Sequence, residues 1–372
     1  MKKVLFGSVV LFANLVYAND FVKSVDGYIR AGFQNDDKSN QDISLGGKLH
    51  IETKSYYGIL GGVSFYTTNV IGNQNDGAGN PFFDSDNNSY SIVGEAYFQA
   101  NFKKSSLKVG RQEIDTPFAD TDDIGMVPNT FAAAILTSNY FDDTTIVLGH
   151  IEKMAGVDAP KPEKFTDING DNGVQVFSIT YEGIKGLTTS AWYYNLNDFR
   201  IDGIFYVDAN YESKIGDFTY DLGAQFANQS HKDSDDAKVF GLSGSLSYEK
   251  LGLTVTVAYN KSSDNAADNG FGGGPFFTSA EFLTIADAGK DADAILGSLE
   301  WDASAVGLPD IGVSFSKLLL EDDKDIDSNE YDFGLSYSFS DKLGVDLIYS
   351  YVDDDINSDN YKNTRVFINY NF

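Results

Sequence analysis

Cysteine is absent from this chain of 372 residues, and histidine and proline are scarce, at three and seven. The missing cysteines exclude a disulfide scaffold, a thiolate metal site and a cysteine nucleophile. His50, His150 and His231 are too few for a polyhistidine metal site. None lies in a Gly-x-Ser-x-Gly elbow or beside an evident serine partner. Chemistry that needs a nucleophile and a positioned base is therefore not expected. Basic residues are also in short supply. The chain has 27 Lys and Arg against 55 Asp and Glu, for a formal net charge of −28. Such a chain repels phosphate, which excludes nucleic acid as a partner. Beyond the N-terminus no apolar run approaches the ~18 residues that a membrane-spanning helix requires.

Other features are abundant. Hydrophobic residues make up 42% of the chain and aromatics 14%, and there are 36 glycines. That content is too apolar for a chain held open by charge, so the protein is ordered. The first residues, Met1-Lys2-Lys3, are basic, and Val4 to Val16 is mostly apolar. Val16-Tyr17-Ala18 then places small residues where a signal peptidase cuts. Residues 1–18 read as a signal peptide and 19–372 as one exported domain.

The exported part repeats one theme. Segments of about ten residues alternate apolar with polar or small side chains, the period-two pattern of strands. In 329–340, Tyr331, Phe333, Leu335, Tyr337 and Phe339 share one face, opposite Asp332, Gly334, Ser336, Ser338 and Ser340. Eighteen such segments are expected, centred from Ile29 through Lys48, Ala96, Lys108 and Val147 to Leu347 and Phe367. Their connections mostly alternate short and long. Those near residues 102–105, 182–187 and 340–342 are tight. Those at 69–89, 112–129, 153–173 and 261–291 are long and rich in Asp, Asn and Gly. This rhythm predicts an all-β fold: a transmembrane, antiparallel, up-and-down β-barrel of about eighteen strands. A barrel this wide cannot fill its lumen with side chains. The apolar face is therefore expected outside, against lipid, and the polar face inside.

Two stretches carry a family resemblance. Leu107-Lys108-Val109-Gly110-Arg111-Gln112 is followed by Asp115-Thr116-Pro117, and then by Asp122-Asp123-Ile124-Gly125-Met126-Val127-Pro128-Asn129-Thr130-Phe131. This succession resembles the OprD-type porins. The acidic composition and the leader are similar to the related Campylobacter-type major outer membrane porins. The chain also ends on Phe372, with Tyr370 and Ile368 on the same face. That ending resembles the signal by which barrels are handed to their insertion machinery. The resemblance implies an eighteen-stranded porin in the outer membrane of a Gram-negative cell, with lipids, small hydrophilic solutes and cations as partners. It also brings in a homotrimer as a state to test and a third loop folded into the lumen. The alternative is a non-conducting barrel that acts as adhesin, receptor or structural protein.

The third loop is the expected constriction. Glu113, Asp115, Asp120, Asp122 and Asp123 lie within eleven residues with no lysine between them. Crowded carboxylates in a narrow channel concentrate cations and repel anions. Parity points Arg30, Lys48 and Arg365 inward from three neighbouring strands, an expected basic wall opposite the acidic loop. Arg111 shares parity with the lipid-facing Leu107 and Val109, and the sequence leaves its direction open. No cofactor is expected to be required. Calcium is a candidate ligand of Asp120, Asp122 and Asp123, or of the oxygen-rich Asp167, Asn169 and Asp171, although no glutamate closes the latter loop.

Overall fold

The computed structural model describes residues 21–37, 40–71, 81–197 and 201–372. The expected signal peptide, residues 1–18, lies outside them. Eighteen long strands follow in chain order. They begin with β1 (Val22–Asp36), β2 (Asn40–Thr53), β3 (Ile59–Val70), β4 (Tyr90–Phe102), β5 (Ser105–Gln112) and β6 (Thr130–Ser138). Next come β7 (Thr144–Ala155), β8 (Val174–Ile184), β9 (Leu187–Asn195), β10 (Ile201–Ile215), β11 (Phe218–His231) and β12 (Ala237–Tyr248). The last are β13 (Leu253–Ser263), β14 (Asp293–Asp302), β15 (Ile311–Glu321), β16 (Asp327–Ser340), β17 (Leu343–Asp354) and β18 (Tyr361–Asn371). Each pairs antiparallel with its neighbours, and β18 returns to β1, from Tyr28↔Asn371 to Asp36↔Asn363. The sheet is a closed barrel without a free edge, as a backbone in hydrocarbon requires. All eighteen expected strand centres fall inside these strands.

Tight turns gather at one rim. Gly186 (φ 79°) and Gly216 (φ 63°) turn the chain from β8 to β9 and from β10 to β11, at backbone angles costly for a residue with a Cβ. The longer connections gather at the opposite rim. Among the described residues no helix is long and apolar enough to cross a membrane. Helix among the described residues is confined to two short 3-10 turns, Ile285–Ala288 and Ala303–Val306.

The outer wall is apolar as alternation predicts. Leu299, Phe315, Phe333 and Tyr349 form one register row across β14 to β17, and all four are exposed. The inner wall departs from expectation. It is not uniformly polar, because Val176, Tyr194, Ile204, Tyr206, Val239 and Leu318 point inward and are buried. They form one core with loop residues Phe118, Phe276, Leu283 and Ile285. Loops that fold into a lumen need an apolar bed, and period-two strands supply one wherever their inward residues are aliphatic or aromatic.

Candidate pore constriction

The third loop, residues 113–129, crosses the lumen because both of its ends are held. Near its start a two-residue ladder pairs Asp115 with Asp120 and Thr116 with Ala119. The turn so formed drives Phe118 edge-on against Tyr194 (5.6 Å), Tyr206 (5.8 Å) and Phe276 (6.0 Å). Near its end Met126 is fully buried against Gly32 of β1 and Phe82 of the second loop, the connection from β3 to β4. A Cβ on Gly32 would lie 2.7 Å from the Met126 sulfur, so a larger residue there would have to push Met126 or Phe82 aside.

A second loop completes the narrowing, and the sequence reading missed it. Residues 264–292, the seventh loop, also fold inward. Phe271 N donates to Phe118 O at 2.9 Å, and Asp120 N donates to Phe271 O at 3.2 Å. Barrel side chains fix the rest: Gln225 accepts from Phe277 N, Asn260 from Thr278 N, and Glu330 from Phe282 N and Leu283 N. Gly270, Gly272 and Gly273 all have φ between 64° and 95°. The Phe-Gly-Gly-Gly-Pro-Phe-Phe run at 271–277 was the signal available in the sequence, since glycines in series allow one backbone to lie directly on another.

The five expected carboxylates diverge. Glu113 accepts from Lys48 Nζ (2.7 Å) and from Tyr66 OH (2.6 Å). Asp123 takes a bidentate pair from Arg30 Nη1 (2.7 Å) and Nη2 (2.8 Å). Asp115 is exposed. Asp120 lies beneath Gly273. Asp122 is hydrogen-bonded carboxyl to carboxylate with Asp158 of the fourth loop, residues 156–173.

The three basic residues do face the lumen from adjacent strands, at different heights. Lys48 is registered opposite Tyr28, and Arg365 opposite Gln34. At ~3.3 Å per residue, six residues along β1 separate these levels by roughly 20 Å. Each cation already has a carboxylate partner, and Arg365 is bound to Glu281 of the seventh loop. The expected open gap between an acidic loop and a bare basic wall is thus replaced by direct contact. Carboxylates and cations from facing surfaces close onto each other when the loop can reach the wall.

Below Glu113 the wall holds a hub that the sequence did not single out. Glu95, 5% exposed, accepts from Ser64 Oγ (2.6 Å) and faces Lys48 (3.3 Å), Lys108 (3.7 Å) and His50 (3.7 Å). Replacing Glu95 by Gln should leave Lys48 and Lys108 undercompensated. A fall in the cation-over-anion permeability ratio of about twofold is expected, read from bilayer reversal potentials.

The candidate calcium ligands do not converge. Asp123 turns to Arg30 while Asp122 turns to Asp158. In the other loop Asp167 pairs with Lys153 at 2.9 Å, and Asn169 Nδ2 donates to Gly173 O at 2.6 Å. Among the described residues no group of three or more His, Asp or Glu is arranged to hold a metal ion. Arg111 keeps the parity of Leu107 and lies on the outer face. Its guanidinium donates to Val93 O at 3.1 Å and lies 4.4 Å over the Phe165 ring, at the loop-side end of β5.

The Asp122–Asp158 pair titrates abnormally. Enclosure by the loops, then the charges of Asp158 and Asp120, push the Asp122 carboxyl up to about 7, against a lowering contribution from the Gly273 N–H. Enclosure also raises Asp158, although its surface is open to the vestibule and Asn129 Nδ2 donates to it at 2.6 Å. A raised carboxyl pKa means that the folded contact holds the proton more tightly than the free loop does. Its contribution is complete below the ordinary carboxylate range and is lost as pH rises through about 7. Current noise from the fourth loop should therefore increase between about pH 5 and about pH 8. Asp158→Asn, whose amide can donate to ionised Asp122, should stay quiet over the same range.

Above the constriction a cavity of about 840 Å³ opens to the loop rim, between β1, β18 and the second, third, fourth and seventh loops. Its charged lining comprises Asp36, Asp84, Asp122, Asp158, Glu281 and Asp359, with Arg365 the single basic residue among the described ones.

The family model of the OprD outer membrane porins matches residues 72–371. The chain belongs to the OprD family. OprD porins are outer-membrane channels for small solutes, which places this barrel in the outer membrane of a Gram-negative cell, with its apolar wall against lipid. Solved OprD-like barrels share the fold. Acinetobacter baumannii OccAB1 is similar with a TM-score of 0.78 at 17% identity, over 96% of this chain and 98% of that one. Pseudomonas aeruginosa OccK5 (OpdH) is similar with a TM-score of 0.78 at 15% identity, over 94% and 97%. Pseudomonas aeruginosa OpdK, solved with vanillate, is similar with a TM-score of 0.81 at 15% identity, over 94% and 98%. No curated protein sequence matches. The OprD assignment fits the geometry above: a closed barrel narrowed by inward loops.

Proposed function

We propose that the barrel is an open, cation-preferring channel for passive diffusion of ions and small hydrophilic solutes. The observation that carries this reading is the lining of the vestibule, where six carboxylates meet one guanidinium that Glu281 already compensates. A narrow passage with low-dielectric walls focuses such a field and raises the local cation concentration. Diffusion of this kind requires no cofactor. A solute carboxylate, such as the vanillate held by the OpdK structure, would have to displace Glu281 before reaching Arg365.

The competing reading is a plugged barrel, and the packing of the third and seventh loops across the lumen is what favours it. Planar bilayers separate the two. Ohmic single-channel steps in potassium chloride support the channel, and their absence from folded protein supports the plug. We also assign the strand-end Phe372, which exchanges backbone hydrogen bonds with Gly27 (3.1 and 3.3 Å), to recognition by the insertion machinery. A homotrimer would show as an SDS-resistant band that boiling abolishes.

A further inference from the structure

The lipid-facing wall carries one row that does not belong in hydrocarbon. Lys317 of β15 is registered with Tyr331 of β16, Tyr331 with Tyr351 of β17, and Tyr351 with Lys362 of β18. The side chains interlock along the row. Lys317 Nζ lies 4.9 Å from the Tyr331 ring centre, the two tyrosine rings stack at 6.1 Å, and Lys362 Nζ lies 5.9 Å from Tyr351. All four share parity with the outward Phe315, Phe333, Tyr349 and Ile368.

Its height is readable from the neighbouring rows. One step toward the turn rim lies the wholly apolar row of Leu299, Phe315, Phe333 and Tyr349. One step toward the loop rim the register reads Leu319, Asn329 and Asp353, polar on β16 and β17 and still apolar on β15. The row therefore sits where the wall leaves the hydrocarbon on the loop side, which in outer-membrane barrels is the outer leaflet. Tyrosines are expected at such a boundary, and lysines there extend toward headgroups.

Among the described residues its lysines meet tyrosine rings and no carboxylate. In a chain this acidic, lysines such as Lys104, Lys153, Lys214 and Lys261 each hold a carboxylate. Among the described residues neither Lys317 nor Lys362 is part of an ion pair. Beside Lys317 its β14 partner Gly297 leaves an open notch, since an added Cβ there would meet nothing within 4 Å. Three strand spacings separate the lysines by roughly 14 Å, enough for a headgroup bearing two phosphates.

We propose that Lys317, Tyr331, Tyr351 and Lys362 form a binding site for the phosphates of an outer-leaflet glycolipid. The lysines pair with the phosphates, the tyrosines hold the ammonium groups in place, and the notch at Gly297 accommodates the headgroup beside them. The site is independent of the channel reading, because it lies on the opposite face of the wall.

The test uses the full chain, delipidated in detergent, with three probes: phosphorylated lipopolysaccharide, the same lipopolysaccharide after dephosphorylation, and inorganic phosphate. Binding is read by native mass spectrometry, and folding by heat-modifiable migration. Wild type should retain the phosphorylated form and bind the dephosphorylated form weakly. The double variant Lys317→Gln, Lys362→Gln should lose about thirtyfold in affinity for the phosphorylated form, and the double Arg variant should keep it. Equal affinity of wild type and the Gln variant overturns the site, as does equal binding of the two lipid forms. Full competition by inorganic phosphate at millimolar concentration would make the ligand a free anion and overturn the lipid assignment.

Discussion

Replacing Gly272 by valine is expected to about double the single-channel conductance, because it prises the seventh loop off the third and widens the narrowest section. Gly272 has φ 95°, and a Cβ there would lie 2.5 Å from Asn129 Nδ2, 2.8 Å from Asp120 O and 3.2 Å from Asp158 Oδ2. The backbone carbonyl of Asp120 cannot yield, since Asp120 N is itself bonded to Phe271 O. Asn129 is tied as well, by Nδ2 to Asp158 and by Oδ1 from Asp158 N. A β-branched residue at this φ adds about 1–3 kcal/mol of backbone strain. The cheapest relief is for the loop to move away. The strand ladders are untouched, so heat-modifiable migration should be unchanged. Gly297→Ala, on the open outer wall, is the control and should conduct like wild type.

Arg30→Gln is the second large effect. The Arg30 side chain, 8% exposed, holds both oxygens of Asp123, the carbonyl of Gly125 and the Asn369 side chain. It is also sandwiched between Tyr28 (4.8 Å) and Phe367 (4.6 Å). Glutamine cannot reproduce a bidentate fork, and the half-exposed Asp123 is left facing the passage. Losing charge-assisted hydrogen bonds of this kind costs about 1.5–3 kcal/mol, which multiplies the detached fraction of the third loop by roughly ten- to a hundredfold. Open-channel noise should rise, and with one positive charge removed the cation-over-anion permeability ratio should also rise. Arg30→Lys restores the charge without the fork. It should recover selectivity while leaving the noise, which separates the electrostatic role from the anchoring one.

Much of the barrel was legible because a lipid-facing wall leaves a strict period-two record. Phe333 and Tyr349 point outward as alternation requires, and tight turns such as Gly186 mark one rim. The inward direction of Arg30, Lys48 and Arg365 followed from the same parity. Their partners did not, because strand parity fixes a face but not which loop crosses to meet it. Glu281 lies 84 residues from Arg365 in sequence, and Asp123 lies 93 from Arg30. The apolar bed inside the lumen was hidden for a related reason: Tyr194, Ile204 and Leu318 read equally well as outward residues until their register is known. The inward fold of the seventh loop was hidden because its run of glycines suits an exposed loop as well as a surface for close backbone contact.

The central claim is that fixed carboxylates around the passage set its preference for cations. The most direct measurement is the reversal potential of the wild-type channel across an about tenfold potassium chloride gradient, at neutral pH and low salt, where screening is weakest. The structure as read predicts a sign showing potassium more permeant than chloride, and a magnitude that falls as salt is raised. A potential of the opposite sign would contradict it, because the lumen cations would then outweigh the carboxylates that lie against them.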